Sequence, residues 1–223
     1  MTDRWIVDLH SHTYYSKDCI VRFEWIIDLC RKRGIDRIAI TDHNTADSAL
    51  AMRELAPDLV IPGEEIMTTQ GEILAYYVTE TVPPGLSPEE TIQRLRDQGA
   101  VISVSHPFDR LRKGAWERSD LERILPLVDA IEVFNARCLF RHDNQQAAEL
   151  AAAHGVPGTA GSDAHSRVEY GAGTLLMEPF DGPESFLNSL RTAEVKGRLS
   201  APHVHLHSST AKWMKKLGLR PSV

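Results

Sequence analysis

The sequence predicts a single α/β barrel, and three observations predict it. Its 223 residues, 42% of them hydrophobic, are enough for one sizeable core, and barrels of alternating strands and helices run to about 200–250 residues. Short runs rich in Val and Ile alternate with longer stretches of helical periodicity, the signature of βα units. Nearly every apolar run also ends in His, Asp or Glu, as expected where strand ends share one mouth.

In chain order, strands are expected at residues 5–9, 37–41, 59–62, 73–78, 101–105, 130–134 and 158–161. Helices are expected at 21–33, ended by Gly34, at 47–56, ended by Pro57, and at 87–98, ended by Gly99. Ser87-Pro88-Glu89-Glu90 is a good start signal, with Ser at the cap, Pro in the first turn and Glu three residues on. Further helices are expected at 119–124, 144–154, 183–190 and 210–217. No repeat, low-complexity tract or Pro/Gly-rich linker divides the chain. Residues 1–195 are therefore expected to form one domain, with 196–223 a short basic C-terminal extension packed on it.

The formal net charge is −6, so no overall positive field is available to hold a long polyanion by charge alone. Three cysteines, Cys19, Cys30 and Cys138, form no CxxC pair, which argues against a disulfide framework or a thiolate zinc knuckle and fits a reducing cytosol. The first residues reach a polar, histidine-rich segment after three apolar ones, leaving no h-region for a signal peptide, and no apolar run is long enough to span a bilayer. A cytoplasmic protein is expected.

Nearly every strand end then offers groups that bind metal: Asp8, His10 and His12; Asp42 and His43; Glu64 and Glu65; His106; Glu132 and Asn135; Asp163 and His165. One such histidine is ordinarily a hydrogen-bonding loop residue. Many carboxylates at one mouth are different, because they would repel one another unless they were protonated or met by cations. Bound metal is the simplest source of that charge. Imidazole and carboxylate without thiolate suit Zn, Mn or Fe. Of the adjacent glutamates, Glu65 is the better candidate, since neighbours in a strand face opposite sides.

The motifs DLHSHTYYSKD, TDHN, GEE, SHP and GSDAH resemble, in order and spacing from Trp5 to Ser166, those of the polymerase and histidinol phosphatase (PHP) superfamily. The resemblance implies a distorted (β/α)7 TIM-like barrel holding two or three divalent metal ions. His10, His12, Glu65 and Asp163 match the first site, Glu65 bridges to a second completed by His106, and Asp18, His43 and His165 match the third. Two departures stand out. Many members have SDG after the HxHTxxS stretch, whereas here Ser16-Lys17-Asp18 places one more residue before the carboxylate. Glu72, in GEIL, stands where many relatives place a histidine, which keeps a ligand but favours a harder metal such as Mn or Fe.

The activity so implied is hydrolysis of a phosphate ester, a small phosphorylated metabolite or nucleotide, by a metal-activated hydroxide. Arg110, Arg112 and Arg137 follow the fifth and sixth strands and can present guanidinium forks to phosphate, with Arg137 the preferred clamp. His43 and His165 can alternatively move protons, and Glu132 and Asn135 can orient a ligand imidazole. Rival readings are an exonuclease-like phosphodiesterase acting on nucleotides or short nucleic-acid ends, a metal-dependent amidohydrolase, and a non-catalytic metal-binding module. Tyr14, Tyr15 and Phe108 could stack one base. In the tail, His203, His205 and His207 alternate as in a half-exposed strand closing the barrel floor, which is preferred over an additional metal ligand or phosphate-binding edge; Lys212, Lys215 and Lys216 are expected to form a solvated face, and Trp213 to pack inward.

Overall fold

The computed structural model describes residues 4–112 and 114–218; residues 1–3 and 219–223 of the two expected segments lie outside the described residues. The elements run β1 (Trp5–Asp8), α1 (Phe23–Arg33), β2 (Arg37–Ile40), α2 (Asp47–Leu55), β3 (Val60–Met67), β4 (Glu72–Tyr76), α3 (Pro88–Asp97), β5 (Val101–Val104) and α4 (Arg118–Ile124). They continue with β6 (Ala130–Asn135), α5 (Arg141–His154), β7 (Gly158–Gly161), β8 (Gly173–Met177), α6 (Pro183–Leu190), β9 (Glu194–Gly197) and α7 (Val204–Lys216). The punctuation read from the sequence is in place: α1 ends at Gly34 with φ 66°, and Ser87 Oγ caps α3 by accepting the Glu90 N–H.

All nine strands form one sheet in the order β7-β6-β5-β4-β3-β2-β1-β8-β9. The chain beyond β1 bends across to β7, where Leu9 N donates to Ala160 O at 3.1 Å, Asp163 N to His10 O at 2.7 Å and His12 N to Ala164 O at 3.1 Å. These bonds nearly close the sheet into a barrel and bring the first and last metal-binding motifs side by side. Gly161 permits the approach: a Cβ there would lie 2.2 Å from His10 Cβ and 2.7 Å from His10 N.

The expected ring of parallel strands needs correction. β1, β2 and β3 are parallel, as are β5, β6 and β7, but β4 runs antiparallel to both of its neighbours. The cause is a tight turn after β3, in which Thr68 N donates to Gly71 O at 2.9 Å and Thr68 Oγ1 accepts from Gly71 N at 3.1 Å. A two-to-four-residue hairpin connects antiparallel strands only, since a parallel pair needs a crossover. The antiparallel pair β8 and β9 extends the sheet beyond β1. Neither was expected, because β9 is exposed at every residue and carries no apolar alternation.

The tail also differs from expectation. His203, His205 and His207 do not lie in a strand: His203 caps α7 and the other two sit in its first turns. The buried positions Val204, Ser208 and Ala211 fall at helical spacing and override the local alternation. Trp213 does not pack inward and is 68% exposed. Nor are the lysines merely a solvated face, since Lys215 Nζ donates to Ser16 O at 2.6 Å and Lys212 Nζ pairs with Asp18.

Apolar side chains fill the barrel interior, where Val7, Leu9, Ala39, Leu74 and Ala160 pack together, and line the sheet's helix-covered outer faces. Two stability predictions follow from this packing. Gly161→Ala should cost about 1–3 kcal/mol, as overpacking of a tight contact does, read as a lower urea midpoint at unchanged slope. The second concerns Glu64, which is buried opposite Glu65 with one oxygen accepting from Val82 N and the other unpartnered. Burial pushes its carboxyl up to about 8. Below about pH 4 folded and unfolded chains both hold that proton, and from there to the folded value only the folded chain does, so stability falls as pH rises across this window. Glu64→Gln should recover on the order of 4 kcal/mol at pH 8 and almost nothing at pH 4; an equal effect at both pH values would refute the assignment.

Candidate metal centre

Five histidines and four carboxylates from separate segments meet at the barrel mouth. His10, His12 and Asp18 follow β1, His43 follows β2, Glu65 lies in β3, Glu72 opens β4, His106 follows β5, and Asp163 and His165 follow β7. Glu72 reaches the site because β4 is reversed: the start of an antiparallel strand lies at the same end as the finish of its parallel neighbours. Its carboxylate sits under Gly114, where a Cβ would lie 2.2 Å from Glu72 Oε2.

The ring nitrogens face the carboxylates at short range. Glu65 is central, with Oε1 at 3.3 Å from His10 Nε2 and 3.0 Å from His106 Nε2, and Oε2 at 3.4 Å from His12 Nε2 and 2.9 Å from His43 Nδ1. Asp163 Oδ1 lies 3.2 Å from His12 Nε2 and 3.8 Å from His10 Nε2. Asp18 Oδ1 lies 3.6 Å from His43 Nε2 and 3.4 Å from His165 Nε2. Glu72 approaches His106 at 3.5 Å and His43 at 4.0 Å. Potential ligand atoms gather within 4.8 Å of one another in three groups: His10, His12 and Asp163; His12, His43 and His165; and His43, Glu65 and Glu72.

Neighbouring groups fix the rings. His10 Nδ1 donates to Glu132 Oε1 at 2.9 Å, leaving Nε2 toward the centre. Ser16 Oγ donates to Asp42 and accepts from His43 N, so at 3.1 Å it can only accept from His12 Nδ1, which directs the His12 Nε2 lone pair inward. Asp42 also receives Thr13 N, Thr13 Oγ1, Ser16 N and Ser48 Oγ, and so locks the loop after β1. Asn135 was expected to hold an imidazole; it instead donates to Asp163 Oδ2 at 3.1 Å and Glu132 Oε2 at 3.2 Å. His106 and Asp163 adopt positive φ, 21° and 51°, a cost of about 1–3 kcal/mol each that persists only where surroundings impose it.

Charge explains the titration of the site. Burial opposes ionisation of Glu65, but His10 and His43 hold it well below the usual carboxylate range. Burial likewise opposes ionisation of Asp163, and Arg112 and His10 outweigh it. Burial pushes Glu72 up, with Glu65 adding to the effect. Burial, then His165 and His43, press His12 down to about 3, keeping its lone pair free. His10 moves the other way: burial disfavours its charge, yet Glu65, Asp163 and Glu132 raise it well above an ordinary histidine.

Whether these residues fit divalent cations is tested by their unused valence. Asp18 Oδ1, Glu65 Oε2 and Asp163 Oδ1 are buried without a hydrogen-bond partner, and each lies within 3.7 Å of a ring nitrogen of the cluster. Buried carboxylate oxygens seldom stay unpaired, and oxygen with imidazole is the donor set of Zn, Mn or Fe. The residues fit.

The three arginines part company. Arg112 Nη2 reaches Asp163 Oδ2 at 2.6 Å and its Nε reaches Asp109 at 2.9 Å. Arg137 is buried, with Nε 3.2 Å from Glu169, Nη2 3.0 Å from Ser208 Oγ and Nη1 against His165 Nδ1. Burial and Arg137 together lower the His165 pKa. Both arginines line a cavity of about 440 Å³ over the cluster, with Asp18, His43, Glu72 and His165 in its floor. Arg110 is exposed and is not in the lining. Phe108 is buried in the core, while Tyr14 and Tyr15 stack near Phe23. Sequence reading assigned no role to Ser16, Asp109, Glu169 or Ser208, where only the HTxxS spacing around Ser16 carried a signal; of the three tail histidines, His205 reaches the cavity.

An α/β barrel with a buried cluster of imidazoles and carboxylates at its mouth is a candidate metal-binding protein. Comparison with known proteins specifies the family: the PHP domain matches residues 8–80 and the PHP-associated family residues 141–195. Two uncharacterized proteins of Methanocaldococcus jannaschii are similar, one 38% identical over 143 residues (58% of this chain, 81% of that one) and one 34% identical over 196 residues (83% and 78%). The chain belongs to the PHP family. The same fold occurs in PsfC from Pseudomonas syringae, with TM-score 0.70, 20% identity and coverage of 96% and 99% of the two chains. It recurs in a two-domain Bacteroides vulgatus protein containing a predicted PHP-like metal-dependent phosphoesterase (0.70, 18%, 94% and 70%) and in the lesion-specific endonuclease EndoQ from Pyrococcus furiosus (0.59, 16%, 86% and 57%). Among the described residues no helix is long and apolar enough to cross a membrane.

If Glu132 orients His10 for a cation, Glu132→Gln should weaken metal affinity by about 10–100-fold, measured by competition with a chelator of known affinity. Unchanged affinity would remove Glu132 from that role.

Proposed function

We propose that the protein hydrolyses a small phosphate monoester, with His10, His12, Asp18, His43, Glu65, Glu72, His106, Asp163 and His165 holding two or three divalent ions. The observation that carries this reading is the pairing of two guanidiniums with the cluster: Arg112 on Asp163 and Arg137 on His165, both facing one cavity. Phosphoryl transfer requires cationic groups around the oxygens where charge develops, whereas attack on an amide carbonyl gives a single oxyanion with less need of two arginines.

The cavity, about 440 Å³, lies in the range of small-molecule sites, about 300–1,000 Å³. That favours a phosphorylated metabolite or mononucleotide over a polymer. The relationship to a lesion-specific endonuclease keeps the nuclease reading as the comparison case. Against it stand a net charge of −6 and the burial of Phe108, which leaves Tyr14 and Tyr15 as the only predicted stacking residues with exposed rings.

Divalent ions bound here would supply an activated water as nucleophile and Lewis-acid polarisation of a phosphoryl oxygen. The chain's own residues do the rest. Glu132, Ser16 and Asp42 hold His10 and His12 with Nε2 inward. Arg112 and Arg137 offer planar donors to the phosphoryl oxygens, Arg137 braced by Glu169. His43 and His165 line the cavity and are the rings within reach of a leaving oxygen, although ligation and proton transfer use the same lone pairs.

Purified protein reconstituted in turn with Mn, Zn and Fe should turn over generic phosphomonoesters faster than diesters and leave amides intact. Arg112→Ala should lower kcat/KM on the best monoester by about 10²–10³, the range for loss of one preorganised donor. Failure to cleave any phosphate ester with any of the metals would sink the reading, and amide cleavage would replace it.

A further inference from the structure

The last helix forms part of the site. His205, Ser208 and Lys212 fall at i, i+3 and i+7 of α7, one face of a helix, and all three line the cavity over the cluster. The helix is fixed on both sides of that face. Arg137 Nη2 donates to Ser208 Oγ at 3.0 Å and lies 3.4 Å from His205 Nδ1. Lys215 Nζ donates to Ser16 O, in the same loop whose Oγ orients His12.

Lys212 is the informative residue. Its Nζ lies 3.2 Å from Asp18 Oδ2, while Asp18 Oδ1 faces His43 and His165. Among the described residues the cavity lining contains four full cations: Lys17, Arg112, Arg137 and Lys212. Arg112 is held by Asp109 and Asp163, and Arg137 by Glu169, so both guanidiniums are fixed in place by carboxylates. Lys212 carries a mobile four-carbon stem, is 53% exposed, and shares Asp18 with two rings that compete for the same charge. The ammonium therefore lies between a carboxylate of the cluster and the cavity that it lines.

We propose that α7 is a wall of the substrate pocket and that Lys212 is a further anion-binding residue beside Arg112 and Arg137, contacting the phosphate of a small ester. The inference rests on the phosphoesterase reading for its ligand chemistry. It gives the C-terminal segment a part in substrate selection.

The test uses the full chain loaded with metal and titrated with inorganic phosphate by calorimetry, alongside steady-state kinetics on the best monoester. Lys212→Ala should weaken phosphate binding and raise KM by about tenfold, the worth of one charge-assisted contact. The kcat and bound metal should be retained. Lys212→Arg should restore most of the affinity. Lys216→Ala makes the same charge change on an exposed position outside the cavity lining and should leave both values alone. Phosphate binding unaltered in Lys212→Ala, or weakened equally in Lys216→Ala, overturns the proposal. Ester turnover by a parent protein that binds no phosphate overturns it too and leaves the hydrolase reading standing. Phosphate binding that depends on Lys212 without turnover of any ester would do the reverse.

Discussion

The structure is organised by one electrostatic problem: Asp18, Glu65, Glu72 and Asp163 share a volume from which water is nearly excluded. Carboxylates so placed must be met by cations, by protons or by arginine. The protein uses positive groups at every radius. His10 is driven toward protonation, Arg112 grips Asp163, and Lys212 pairs with Asp18. The charge of the cluster dictates what surrounds it, and the hydrogen bonds of Glu132, Ser16 and Asp42 set the direction in which each ring offers its lone pair.

The barrel is shaped to deliver that cluster. Backbone bonds from the end of β1 to the end of β7 put His10 and Asp163 in adjacent positions, through a glycine that lets the strands touch. Reversal of β4 turns what would be the floor end of a strand into a contributor at the mouth, so Glu72 joins Glu65 across a hairpin. The positive φ of His106 and Asp163 shows backbone energy spent on aiming side chains, as at other sites where geometry matters more than local comfort.

Much of this was legible in the sequence, for identifiable reasons. Each of the seven strands read from apolar runs exists, and the nine candidate ligands converge, most of them because a polar residue just after or within a buried strand has a position fixed by the strand itself. The extra residue before Asp18 did not displace it from His43 and His165. Direction was not legible: nothing in the apolar run of β4 tells parallel from antiparallel, and only the turn at Thr68 to Gly71 decides it. Nor was the tail, whose His alternation suits a strand locally while Val204, Ser208 and Ala211 obey a helix. Partners that act through long-range contact, such as Glu169 on Arg137 and Asp109 on Arg112, have no signature in spacing.

The turn that reverses β4 also limits how the mouth can vary. Thr68 Oγ1 accepts from the N–H groups of both Gln70 and Gly71, sealing this part of the rim with its own backbone. An insertion there would unpick the hairpin and withdraw Met67 and Glu72 from the cavity together. The segment between β5 and α4, which supplies Asp109, Leu111, Arg112 and Gly114, is instead irregular chain. New substrate preferences can therefore be grafted on that segment and on α7 more readily than on the hairpin, which serves as the fixed jaw of an adjustable clamp.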